Sequence, residues 1–176
     1  MRPSGGGAGG GDGALDAAAS DRVALDSRSA MLLLTRVVHF NAAHRLWNPR
    51  KDEAWNLATF GQGANAFGYG HNYTLEISVA GEPDPETGMI VNLTDLDRIL
   101  KEEVDRPLDH RNLNCEVPGF DVAVPTAENL ALWIWHHVEA RIRREGWRCS
   151  LATLTLRITP NFSVELTAPV LVAAGA

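Results

Sequence analysis

Residues 72–79 alternate without a break: Tyr73, Leu75, Ile77 and Val79 are apolar, while Asn72, Thr74, Glu76 and Ser78 are polar. Side chains on a strand repeat with period two, so this run owns one face for a core and one for water. It predicts a half-buried antiparallel strand over 71–80, and the rest of the chain has to supply the layer that covers its apolar face.

The neighbouring segments supply that layer. Residues 31–44 read as a strand, and Gly81-Glu-Pro-Asp-Pro-Glu-Thr-Gly88 is turn chemistry. Leu93, Leu96, Ile99, Leu100 and Val104 fall at helical spacing, with Asn92 as cap and an end expected before Pro107. A second helix is expected after Pro125, with Thr126 as N-cap, a buried stripe of Leu130, Ile134, Val138 and Ile142, and Gly146 past its last turn. Leu151–Thr159 and Phe162–Thr167 read as two short strands joined at Pro160-Asn161. The order β–β–α–α–β–β predicts an α+β domain, a four-stranded antiparallel sheet with both helices on one face. Between the first two strands, residues 45–70 hold Pro49 and glycines at 61, 63, 68 and 70, which predicts a long irregular connection of the kind that carries function.

Residues 1–30 are low in complexity, led by Ser4-Gly-Gly-Gly-Ala-Gly-Gly-Gly-Asp-Gly13. They are expected to form a disordered tail, or to lie upstream of a true start at Met31, leaving 31–176 as a single domain. A net charge of −6 over 176 residues argues against a nucleic-acid partner held through its phosphates, and the short Arg141–Arg148 stretch suits a helix C-terminus. No apolar run approaches membrane-spanning length. Two cysteines, Cys115 and Cys149, without a secretory signal predict free thiols in a reducing cytoplasm.

The chemistry concentrates on histidines. His44 ends the first strand and His71 opens the second, each beside small residues (Ala42, Ala43, Gly70), an arrangement suited to ligands facing a cleft. A third ligand on the same face belongs two residues before His71, where Tyr69 stands. His110 follows Asp109, and a carboxylate beside an imidazole can orient and charge it for proton transfer. Glu128 lies in the first turn of the second helix, where a carboxylate complements the helix dipole. His136 and His137, adjacent on a helix, diverge by about 100° and cannot share a metal.

Five blocks occur in order: Phe40-x-Ala-Ala-His44, Gly70-His-Asn-Tyr73, Thr87-Gly-Met-Ile-Val-Asn-Leu-Thr-Asp-Leu96, Pro107-Leu-Asp-His-x-Asn-Leu113 and Pro125-Thr-x-Glu-Asn129. Together they resemble the 6-pyruvoyl-tetrahydropterin synthase and 6-carboxytetrahydropterin synthase family over residues 31–168. The resemblance implies the tunnelling fold, assembled as trimers or stacked hexamers with active sites between subunits. It implies zinc on three histidines and a lyase reaction on 7,8-dihydroneopterin triphosphate. It also implies a cysteine working with an Asp-His couple, and a glutamate anchoring the pterin. Carried over by position, His44 and His71 are zinc ligands, Asp109 and His110 the proton-transfer couple, and Thr126 and Glu128 substrate-side residues.

Three positions depart from that pattern. Tyr69 falls on the remaining zinc histidine, Gly63 on the cysteine and Ile158 on the anchoring glutamate. Tyr69 could ligate through its phenolate, or fill the metal pocket with its hydroxyl bonded to His44 or His71. Cys115 reads as an ordinary free cysteine. Two functions follow: a pterin-processing lyase of this family, or a non-catalytic tunnelling-fold protein that binds a pterin or purine-like ligand or serves as a subunit partner.

Overall fold

The computed structural model describes residues 31–169; the low-complexity segment 1–30 and residues 170–176 lie outside the described residues. The alternating run forms β2 (Tyr69–Ala80), paired antiparallel to β1 (Leu33–His44) along its whole length. On its other edge β2 meets β4 (Ser150–Thr159), which in turn pairs with β5 (Phe162–Thr167), both antiparallel. These are the four strands expected. A fifth, β3 (Arg111–Asn112), adds to the free edge of β1 in parallel, giving the order β3-β1-β2-β4-β5. Two residues are too few to show a period in sequence, so the mixed character of the sheet was not readable there.

One face of the sheet is covered by helices. α2 (Leu93–Leu100) is capped by the Asn92 side chain, which accepts from the Thr94 amide at 2.9 Å. The helix does not end before Pro107. A π-helical turn over Lys101–Asp105 carries the chain into α3 (Arg106–Leu108), with Pro107 inside that last turn. α4 (Leu113–Glu116) is a single turn after β3, and α5 (Ala127–Glu145) is the long covering helix. Thr126 caps α5 by accepting the Asn129 amide at 3.2 Å, and Gly146 closes it at φ 69°. The core lies between α5, α2 and the inner face of the sheet: Leu75, Ile77, Leu96, Leu130, Ile134, Val138, Leu154 and Leu156 are all fully buried there. Arg141 turns back to Glu145, Glu102 and Glu103 at 2.8–3.1 Å, which ties α5 to the π turn.

The 45–70 connection is not irregular throughout. It contains α1 (Glu53–Phe60) followed by a 3₁₀ turn, Gly61–Ala64. Asp52 caps α1 by accepting the Trp55 amide at 2.8 Å. Asn56 is fully buried and holds the segment together: its Oδ1 accepts the Asn48 amide, and its Nδ2 donates to the carbonyls of Asn48, Lys51 and Asp52. A Leu46 amide to Gly63 carbonyl bond of 2.8 Å returns this loop against the end of β1. Gly68 permits the last step. At φ 69° it lies where a Cβ would sit 2.7 Å from the His44 carbonyl oxygen, so no other residue fits.

Candidate functional site

The antiparallel register places His44 directly opposite Tyr69, and His71 opposite Ala42. Period two then puts Tyr69, His71 and Tyr73 on the helix-covered face, with His44 and Phe40 beside them. The rings pack edge to face, with centroids 4.7 Å apart for His44–Tyr69, 5.4 Å for His44–His71 and 5.3 Å for Tyr69–His71. Tyr73 continues the row, 5.7 Å from His71 and stacked on Phe40 at 4.9 Å. The small side chain of Ala42 opposite His71 leaves the room this convergence needs.

His44 is 5% exposed, and neither of its ring nitrogens completes a hydrogen bond. Burial, together with the neighbouring His71, lowers its pKa to about 4. Burial lowers His71 as well and raises Tyr69, so at neutral pH the two imidazoles are uncharged and the phenol keeps its proton. Buried polar atoms without partners are rare and costly. A neutral imidazole with a free lone pair is also what a zinc ion requires. The two histidines therefore fit a cation, although among the described residues no group of three His, Cys, Asp or Glu converges.

The sequence leaves Tyr69 either ligating through its phenolate or bonding its hydroxyl to His44 or His71. Its hydroxyl does not bond to His44, whose nitrogens are both unpartnered. It reaches instead toward Gly63, 3.3 Å from where a Cβ there would stand. Tyr69 and Gly63 line one cleft of about 700 Å³ together with Leu57, Gln62 and Asn65.

The Asp109-His110 couple forms at the free edge of β1. His110 Nδ1 and Asp109 Oδ2 are 2.7 Å apart, while Asp109 Oδ1 accepts the Asn41 amide at 2.8 Å. The His110 amide donates to the Asn41 carbonyl at 2.6 Å. The Asn41 amide, more than the His110 ring, holds the Asp109 carboxyl below its usual range. His110 adopts φ 57°, the one positive φ among the described non-glycine residues. Its ring is largely exposed and borders a second cleft, of about 470 Å³, shared with His71, Asn72 and Glu116.

Thr126 is occupied as the α5 cap, and Glu128 is exposed in the first turn of that helix. Ile158 is 7% exposed on the inner face of β4, packed in the core with Leu154 and Leu156. Cys115 is exposed and Cys149 buried, both free. Sequence reasoning missed two supports, Asn56 and Asn114. Asn114 brackets Arg45, accepting its amide at 2.7 Å and donating to its carbonyl at 3.0 Å. Neither carries a periodic signal; they matter because they hold the backbone of residues 45–52, the stretch that follows His44.

Residues 33–168 match the family model described as 6-pyruvoyl tetrahydropterin synthase. The 6-pyruvoyl tetrahydrobiopterin synthase of Poecilia reticulata is 46% identical over 105 residues, 60% of this chain and 71% of that protein. The dihydroneopterin monophosphate aldolase of Pyrococcus furiosus is 33% identical over 127 residues, 72% of this chain and 90% of that protein. The Caenorhabditis elegans 6-pyruvoyl tetrahydropterin synthase structure superposes with a TM-score of 0.72 at 31% identity, covering 80% of this chain and 97% of that one.

Proposed function

The chain belongs to the 6-pyruvoyl tetrahydropterin synthase family and has its tunnelling fold, and on that premise we propose that it is a pterin-processing lyase acting on 7,8-dihydroneopterin triphosphate or a close relative. The observation that carries the reading is the Asp109-His110 couple, kept at 2.7 Å and facing a cleft that also holds His71. An ionised Asp109 fixes the His110 ring through Nδ1 and leaves Nε2 free to take or give a proton. The relative named as an aldolase places a second reaction class on a dihydroneopterin among the family's relatives, so departure from the synthase residues does not exclude catalysis.

His44 and His71 would hold zinc, and Tyr69 packs beside both rings. Bound there, zinc supplies Lewis-acid polarisation of a side-chain hydroxyl. Thr126 and Glu128, at the positive end of α5, stand on the substrate side. Assembly as a trimer or stacked hexamer would set such sites between subunits, and the exposed ring of His110 is accessible to a neighbouring copy. A second reading, ligand binding without turnover, is favoured by Gly63, which has no side chain to replace a thiolate, and by Ile158, which accepts no hydrogen bond from a pterin.

The test is incubation of the zinc-supplemented protein with 7,8-dihydroneopterin triphosphate, followed by chromatography of the pterins and of released triphosphate. Turnover that His110→Ala abolishes supports the lyase. Binding with no product supports the second reading, and neither binding nor product removes the pterin assignment. Restoring Gly63→Cys, Tyr69→His and Ile158→Glu together is expected to raise synthase turnover, provided the triple variant remains folded.

A further inference from the structure

Tyrosine is longer than histidine. When it stands where an imidazole would ligate, its ring takes the volume of the imidazole and its oxygen lands beyond. Beyond, in this chain, is Gly63. The oxygen of Tyr69 lies 3.3 Å from where a residue-63 Cβ would be, beside Cδ1 and Cγ of Leu46 at 2.9 and 3.3 Å. The space a side chain at 63 would fill is thus partly taken by the Tyr69 hydroxyl. That hydroxyl does not bond to His44, whose two buried nitrogens have no partner. Tyr69 lines the same cleft as Leu57, Gly61, Gln62, Gly63, Asn65 and Gly68, and all of these but Leu57 are polar or backbone-exposing positions suited to a hydroxylated chain.

We propose that Tyr69 is a substrate-positioning residue: it carries a hydroxyl into the place of the missing side chain at 63, leaves the cation to His44 and His71, and hydrogen-bonds the polyhydroxylated side chain of a reduced pterin. The two departures are then one exchange, with glycine at 63 making room for the longer side chain at 69. This rests on the pterin reading above. It differs from a liganding role because a ligand oxygen would serve the cation, whereas this hydroxyl, 3.3 Å from the residue-63 Cβ position, would serve the substrate.

Tyr69→Phe separates the alternatives, since it removes one oxygen and keeps the ring that packs on His44 and His71. Zinc uptake is measured on dialysed protein by elemental analysis and competitive titration. Binding of 7,8-dihydroneopterin, which lacks the triphosphate, is followed by fluorescence. The expected result is unchanged zinc affinity, within about threefold, and about tenfold weaker binding of the pterin, the usual range for one lost neutral hydrogen bond. Gly63→Ala, which crowds the hydroxyl, is expected to weaken the pterin in the parent and to have little effect in the Tyr69→Phe background.

Zinc affinity falling tenfold or more in Tyr69→Phe makes Tyr69 a ligand and overturns the proposal, as does pterin binding that is unaffected. A parent protein that takes up no zinc overturns the two-imidazole half of it. A parent that holds zinc but ignores 7,8-dihydroneopterin removes the pterin reading itself, an outcome distinct from the others.

Discussion

The hydroxyl oxygen of Tyr69 stands 3.3 Å from the point where Gly63 would carry a Cβ. Adding a side chain at 63 therefore has an energetic cost that depends on residue 69. Gly63→Cys in the parent is expected to lose about 1–2 kcal/mol, because the new atoms meet both Leu46 and Tyr69. Combined with Tyr69→His, the loss is expected to be smaller than the sum by about 0.5–1 kcal/mol, a coupling typical of touching residues. Urea midpoints for the two single variants and the double one give the coupling directly, and strict additivity contradicts the contact.

Ile158 makes the opposite point. At 7% exposure, within the core cluster, its site cannot hold a carboxylate without a partner. Ile158→Glu alone is expected to cost about 3–5 kcal/mol at pH 8. Burial raises a carboxyl's pKa, so the folded variant is favoured when neutral and its deficit grows as pH rises. Melts at pH 5 and pH 8 check this: a deficit independent of pH means that the glutamate reaches water. Addition of a pterin that pairs with the carboxylate is expected to recover part of the loss.

Much of this was legible in the residues, and for physical reasons. The four long strands, the caps at Asn92 and Thr126 and the stop at Gly146 follow from period two, period 3.6 and the special chemistry of helix ends. That His44 and His71 sit at strand ends was readable from the strand patterns, while their meeting depends on the register between β1 and β2. What sequence hid were interactions without a period. The fully buried Asn56 looks like any loop asparagine, and the two-residue β3 is too short to alternate. The helix continues past Pro107 because a π turn shifts its register, which propensity does not encode. The reach of Tyr69 toward Gly63 needs the loop's return path, fixed by Gly68 and by the Leu46–Gly63 bond.

His44 gives the metal-free protein a predictable acid sensitivity. Its folded pKa, about 4, lies below the ordinary 6.5, so between these values the unfolded chain takes up a proton that the folded chain refuses. Stability is full above pH 6.5 and falls as pH drops toward 4, by on the order of 3 kcal/mol at most. The lowered His71 adds in the same direction. Chemical denaturation of chelator-treated protein across pH 4–7.5 measures the slope, and His44→Phe is expected to flatten it.

Asn56 is expected to be among the least replaceable residues of the connection. Asn56→Ala leaves the Asn48 amide and three carbonyls without their buried partner, at about 2–4 kcal/mol. Asn56→Asp should be no better, because it sets a charge against carbonyl oxygens and removes the donor. Loss of hydrogen-exchange protection at the Asn48 amide reports the opening. The Leu46 amide, bonded to Gly63, should lose protection with it if the loop moves as one unit.

His110 separates structure from chemistry most cleanly. Its φ of 57° costs a non-glycine residue about 1 kcal/mol, and glycine adopts that conformation freely. The bond to Asp109 returns little of this, because the His110 ring is mostly exposed and a solvated pair contributes a few tenths of a kcal/mol. His110→Gly is therefore expected to leave the melting temperature unchanged or raise it by a degree or two, while removing the turnover proposed above. Asp109→Asn is expected to behave differently: its oxygen can still accept the Asn41 amide, so the fold stays intact while the ring loses its charged partner. A strained residue that costs stability and is dispensable for folding is one retained for its side chain. A clear drop in stability for His110→Gly would instead make the histidine part of the scaffold, and the proton-transfer role would then fall to another group.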